Sequence, residues 1–150
     1  RRDVAAPAVN EKEGEAMTTA TPPTATMKIS ALAHERLFVY QLALEFARTA
    51  EGVASRIPKL RRDLARRLRG AATALPRRVA AGAADPRAQE KVRIYRAARA
   101  SATRCAALLD ICRQLEIVQD VDVTAGRRTL ERLVAMLDRI IRNHLPAEHV

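Results

Sequence analysis

The sequence predicts an all-α fold, an up-down-up-down antiparallel four-helix bundle, and three observations carry that prediction. Four segments repeat apolar residues at helical spacing with short connections between them. Alanine occurs 30 times, against no Trp, two Tyr, two Phe and five Gly, a composition suited to closely packed helices and poor for a sandwich or barrel. With 150 residues, 48% of them hydrophobic, the chain holds enough apolar side chains for one compact core.

Residues 1–29 are rich in Ala, Thr, Pro and Glu and show no apolar period, so they read as a disordered N-terminal tail. The bundle is expected over residues 30–146, with residues 147–150 as a C-terminal tail. The first helix is predicted from Ser30, an N-cap candidate, to about Arg56, with Leu37, Tyr40, Leu44, Ala47 and Ala54 inward. Pro58 suits the first turn of the second helix, whose stripe is Leu60, Leu64, Leu68, Ala72, Leu75 and Val79 and which ends near Gly82. Pro76 lies inside that helix and predicts a kink or a broken last turn.

Asp85 and Pro86 read as a cap and a first-turn proline that open a third helix running to about Glu116. Its inward residues are Val92, Tyr95, Ala98, Ala102, Cys105, Leu109 and Cys112. Ile117 to Val123 reads as a connector, and Thr124 caps the fourth helix. That helix carries the clearest stripe, Leu130, Leu133, Val134, Leu137, Ile140, Ile141 and Leu145, and Pro146 stops it.

Charge is unevenly placed. The net charge is +10, yet the stretch from Arg56 to Arg104 alone holds 15 basic residues against Asp63, Asp85 and Glu90, and the rest of the domain is close to neutral. Such an excess attracts phosphate, an anionic membrane or an acidic protein face, while a solvated surface with biased Arg and Ala usage is the bland alternative. Arg62, Arg66 and Arg69 fall at i, i+4 and i+7 on one face of the second helix, with Arg61 to one side. Arg93, Arg96 and Arg99 repeat at three-residue steps on the third, and Arg77 and Arg78 lie between the two sets. Like charges at such spacings destabilise an isolated helix by roughly 0.2–0.5 kcal/mol per pair, a cost that an anionic partner offsets. Arginine grips phosphate oxygens bidentately, so these nine arginines are the candidate nucleic-acid contacts. With few aromatics to serve as stacking platforms, binding is expected to be led by the phosphate backbone, weakly sequence-selective and strongly salt-dependent.

The segment RGAATALPRRVAAG over residues 69–82, Val39-Tyr40-Gln41 with Ala43, and Tyr95 followed by Ala98, Ala100 and Ser101 occur in one order. Together they resemble the four-helix-bundle family of ribosomal-RNA intervening-sequence proteins and the accessory variability determinants of diversity-generating retroelements. The family reads R-x-A-A-x-S-I-P-x-N-I-A-E-G in its second helix. The resemblance spans about Leu37 to Ile141 and implies a homopentamer with a basic surface. Its retroelement members bind nucleic acid and a reverse transcriptase. Departures fall on the polar signature: Arg78 replaces the family's Asn, Ala81 its Glu, and Arg104 stands where Glu follows Gly-Ser. Losing those carboxylates is expected to leave neighbouring guanidiniums freer for an external anion.

Catalytic, metal and cofactor chemistry find no constellation. His34, His144 and His149 lack metal-site spacing, and no glycine-rich phosphate loop is present. Cys105 and Cys112, seven residues apart on one helix, sit about 10 Å apart along its axis, too far for a disulfide, and read as buried small hydrophobes. Asp110, Glu116, Asp120 and Asp122 lack a calcium-loop pattern and offer an acidic edge to the basic helices of a neighbouring subunit. No run approaches the ~18 apolar residues of a membrane span and no secretory signal is visible, so a cytoplasmic location without membrane contact is expected. The leading expectation is a non-enzymatic, homo-oligomeric nucleic-acid-binding accessory protein, and the alternative is an assembly scaffold of the same bundle without nucleic-acid binding.

Overall fold

The structure, a computed structural model, describes residues 33–147. They form four helices: α1 (Phe38–Arg56), α2 (Arg62–Ala84), α3 (Ala88–Gln114) and α4 (Asp120–His144). A 3₁₀ turn at Ala33–Arg36 precedes α1, and a second at Lys59–Arg61 joins α1 to α2. Successive helices pack on one another and α4 returns to α1, while no Cα atoms of the diagonal helix pairs come within 8 Å among the described residues. This is a four-cornered antiparallel bundle, as the stripes predict. The readings of residues 1–29 and of Ser30 fall outside the described residues.

Six large side chains, Phe46, Leu68, Leu75, Leu109, Leu133 and Leu137, are fully buried at the centre. Between them lie buried alanines: Ala43, Ala50 and Ala54 on α1, Ala65, Ala71 and Ala72 on α2, Ala98 and Ala102 on α3. Small residues let the backbones approach, and each large one removes more apolar area from water than an alanine does.

Helix boundaries depart from the sequence reading, each time for a local reason. In α1 the buried face is Val39, Leu42, Ala43, Phe46, Ala50, Val53 and Ala54, while Leu44 is exposed. This helix is apolar around much of its circumference, and the face carrying Phe46 buries more area than the one carrying Leu44. Pro58 precedes the 3₁₀ turn instead of entering a helix, Arg61 N–H donates to Pro58 O at 2.8 Å, and Leu60 is 90% exposed. Pro76 does not break α2, which continues to Ala84 with the proline ring buried.

At the α2–α3 junction Asp85 makes an Asx-type turn in place of a helix cap. Its Oδ1 accepts the Arg87 N–H at 2.9 Å and the carboxylate is forked by the Arg87 guanidinium, with bonds of 3.1 and 2.8 Å. Those bonds, the guanidinium's first, hold its pKa down to about 2. Pro86 therefore lies outside α3. All seven inward residues predicted for the third helix are buried.

The connector is shorter than predicted, because α4 already begins at Asp120, with Val123 buried and Thr124 inside the helix. Asp120 and Asp122 in its first turn complement the positive helix end. In α4, Leu130, Leu133, Leu137 and Ile141 are buried, Val134, Ile140 and Leu145 pack at the edge, and the helix ends at His144 before Pro146.

Helix α3 closes with a Schellman arrangement: Glu116 N–H donates to Arg113 O at 2.9 Å and Ile117 N–H to Cys112 O at 3.1 Å. The turning residue, Glu116, has φ 55°, in the left-handed region. Glu116→Gly is expected to stabilise the protein by about 1 kcal/mol by removing the Cβ conflict. A denaturant midpoint that stays put or falls would contradict this.

Candidate functional site

Positions 62, 66, 69, 73 and 77 lie along the outward side of α2, since steps of three and four residues return to one helix face. Arg62, Arg66, Arg69 and Arg77 are all exposed there. Arg69 is held by Glu51 of α1, with Nε and Nη2 donating to the two carboxylate oxygens at 2.9 and 3.0 Å. This hydrogen bonding lowers the Glu51 pKa. Arg61 meets Asp63 at 3.4 Å. Arg62, Arg66 and Arg77 have no acidic partner among the described residues, and neither does Arg67, a third of a turn away.

The arginines of α3 do not form a stripe. Each three-residue step turns the helix back by about 60°, so Arg93, Arg96 and Arg99 fan around it. Arg93 donates to Glu90 of its own helix at 2.6 Å, Arg99 reaches Asp138 of α4 at 2.6 and 3.4 Å, and Arg96 has no acidic partner among the described residues. Arg69 therefore leans into the α1/α2 groove and Arg99 into the α3/α4 groove, on opposite sides of the four-cornered bundle. The basic segment does not fold into one patch.

Arg77 and Arg78 part company at the α2/α3 contact. Arg77 is exposed, whereas Arg78 turns inward and donates through Nη1 to Ala97 O at 3.3 Å and to Ser101 Oγ. Ser101 is 0% exposed, so this bond satisfies a hydroxyl that has no access to water. Arg78 is an interhelical clamp and not one of the freed guanidiniums expected from the changed signature. One turn further on, a Cβ at Gly82 would lie 2.8 Å from Tyr95 Cε1. Lys91 Nζ donates to Gly82 O and Ala83 O, both at 2.9 Å, and so caps the end of α2. The segment over residues 69–82 and the Tyr95 to Ser101 segment are thus two sides of one joint. A family model of the 23S rRNA-intervening sequence protein matches residues 35–139, which include this joint and most of the bundle. The chain belongs to that family. A comparison with curated proteins finds no match.

In this intervening-sequence family member the glycine at the end of the signature has a steric reason. Gly82→Ala is expected to destabilise by about 1–2 kcal/mol, the overpacking against the rigid Tyr95 ring exceeding the ~1 kcal/mol gain in helix propensity. Gly70, whose Cβ would meet nothing within 4 Å, is the control, and Gly70→Ala is expected to gain about 1 kcal/mol. Thermal melts giving both variants the same sign would overturn this account.

On α4, four exposed arginines lie outside the candidate set. Arg128, Arg132, Arg139 and Arg142 are exposed on α4 and have no acidic partner among the described residues. Arg132 lies 5.7 Å over the ring of Phe38, which is 61% exposed. By count, acidic residues balance this part of the chain, but Asp122 is taken by Arg56 at 3.0 Å and Asp138 by Arg99. The spacing of Arg128, Arg132 and Arg139, i, i+4 and i+11, was the available signal. The proposed acidic edge shrinks for the same reason: Asp110 pairs with Arg127 at 2.6 Å and Arg113 at 3.3 Å, leaving Glu116 and Asp120.

Among the described residues no group of three His, Cys, Asp or Glu side chains is placed to hold a metal ion. Cys105 and Cys112 are buried and unbridged. Burial pushes the Cys105 thiol up to about 12 and raises that of Cys112, so both are protonated at neutral pH. His34 stands edge-on to Tyr40 at 4.6 Å, and His144 Nδ1 bonds Ile140 O at 2.8 Å. His149 lies outside the described residues. No described helix is long and apolar enough to cross a membrane.

Proposed function

We propose that this protein is a non-enzymatic, homo-oligomeric nucleic-acid-binding accessory protein that grips phosphates through the outward face of α2. The observation that carries this reading is the row Arg62, Arg66 and Arg77, aligned on one exposed face without carboxylate partners among the described residues. Such a row repels itself, and an external polyanion offsets that cost while releasing counterions. The family description names 23S rRNA, which makes RNA the first ligand to try. The reading extends to a pentamer and to a reverse transcriptase as protein partner, both implied by the resemblance. In a ring each arginine row is repeated in every subunit, so weak phosphate contacts add through effective concentration.

Titrating RNA and DNA duplexes and single strands against the protein at several salt concentrations tests the proposal. Binding is expected at low salt, with the logarithm of affinity falling linearly with that of salt. Absence of binding at low salt, or affinity indifferent to salt, counts against it.

A second reading, an assembly scaffold without nucleic-acid binding, is favoured by one observation: Arg61, Arg69, Arg78, Arg93 and Arg99 are all engaged within the chain. It requires oligomer mass and protein-partner binding to survive replacement of Arg62, Arg66 and Arg77 by Gln, with no nucleic-acid affinity to lose.

A further inference from the structure

The groove between α3 and α4 contains a recess of about 400 Å³ lined by Arg96, Arg99 and Ala100 from one helix and Asp138, Ile141 and Arg142 from the other. We propose that this recess binds a dianionic phosphate group, one with no more than a single ester bond. It is distinct from the α2 row and involves Arg142, which lies outside the basic segment altogether.

Three arginines and one carboxylate line it, a formal local charge of +2. Asp138 stands four residues before Arg142, the order that favours an acid–base pair within a helix. Its oxygens are nevertheless engaged by Arg99 across the groove, at 2.6 and 3.4 Å. Arg142 and Arg96 consequently have no acidic partner among the described residues, and the pair with Asp138 holds Arg99 in a fixed fork beside them. Ala100 and Ile141 bring no side-chain acceptor that competes for the free N–H groups. A phosphate monoester carries about −1.5 to −2 charge at pH 7 and three acceptor oxygens, which matches both the charge and the donors left over. An internal phosphodiester carries only one negative charge and has only two such oxygens, so the recess favours a terminal phosphate over the backbone. That ligand is either free phosphate or the phosphorylated end of a nucleic acid, and the second source rests on the function proposed above.

Arginine Nε resonances of the full chain, followed during addition of inorganic phosphate at constant ionic strength, test the recess itself. Arg96, Arg99 and Arg142 are expected to shift together, and the response is expected to vanish in Arg96→Gln/Arg142→Gln, whose exposed positions leave the fold intact by circular dichroism. Unmoved signals, or an undiminished response in that variant, overturn the proposal. A second arm compares matched RNA 10-mers with 5′-phosphate and 5′-hydroxyl ends. Preference of about tenfold or more for the phosphorylated strand, lost in the same variant, supports a nucleic-acid end as the ligand. Equal affinity with a retained phosphate response supports free phosphate and overturns the terminal-end source. If neither RNA binds while phosphate still shifts the three signals, the recess stands and the nucleic-acid function falls.

Discussion

Phe46→Ala is expected to remove about 3–5 kcal/mol of stability, read as a lower urea midpoint at unchanged slope. Phe46 is 0% exposed and heads the largest fully buried side chains. Its neighbours one turn away on α1 are Ala43 and Ala50, and across the core it approaches Gly126, where a Cβ would lie 3.6 Å from Phe46 Cε1. The ring fills space that these three small residues leave open. None of these three has a side chain able to swing into the cavity, and Leu109, whose Cδ1 lies beside the same Gly126, is the neighbour whose movement sets where in the range the loss falls. A domain of this size has about 5–15 kcal/mol in total, and this one substitution removes a large share of it. Both proteins should be compared at one protomer concentration, because self-association adds apparent stability. A loss below about 1.5 kcal/mol would mean that the core repacks around the missing ring.

Replacing Arg62, Arg66 and Arg77 together by Gln is expected to flatten the salt dependence of nucleic-acid binding by about 2–3 in log–log slope, from roughly 0.7 per contact on single strands to 0.9 on duplexes. Between 50 and 200 mM salt the unaltered protein should therefore lose roughly 20–40-fold more affinity than the variant. The fold should survive, since all three side chains are exposed and none takes part in an ion pair among the described residues. Arg69 is unsuitable for this test. Its removal would release Glu51 from a two-bond fork and add an uncompensated negative charge to the same groove. An unchanged slope in the triple variant would move nucleic-acid contact away from α2, with the arginines of α4 as the next surface to alter.

Some of this protein was legible in the order of its residues. Helix number and sequence position follow from apolar periodicity, a property of each segment alone, and the seven inward residues expected in the third helix are all buried, with Ser101 and Leu108 buried beside them outside the expected stripe. Caps were less legible. Side-chain type points to Asp85 and Thr124, yet α3 and α4 start after Arg87 and Gln119 without a side-chain cap bond. Packing of the apolar faces outweighs the roughly 1 kcal/mol that a cap supplies.

The candidate site divides along the same line. A row such as Arg62, Arg66 and Arg77 lies on one helix, so spacing alone places it on one face. Whether a given arginine is free depends on which carboxylates the neighbouring helices bring to it, and Glu51, Asp122 and Asp138 come from other elements than the arginines they neutralise. The sequence by itself determined the fold class, the helix order and the excess of positive charge. Only the tertiary structure decided where that charge remains unpaired, because helical period is set within a segment whereas Coulomb attraction acts through space between segments the chain brings together.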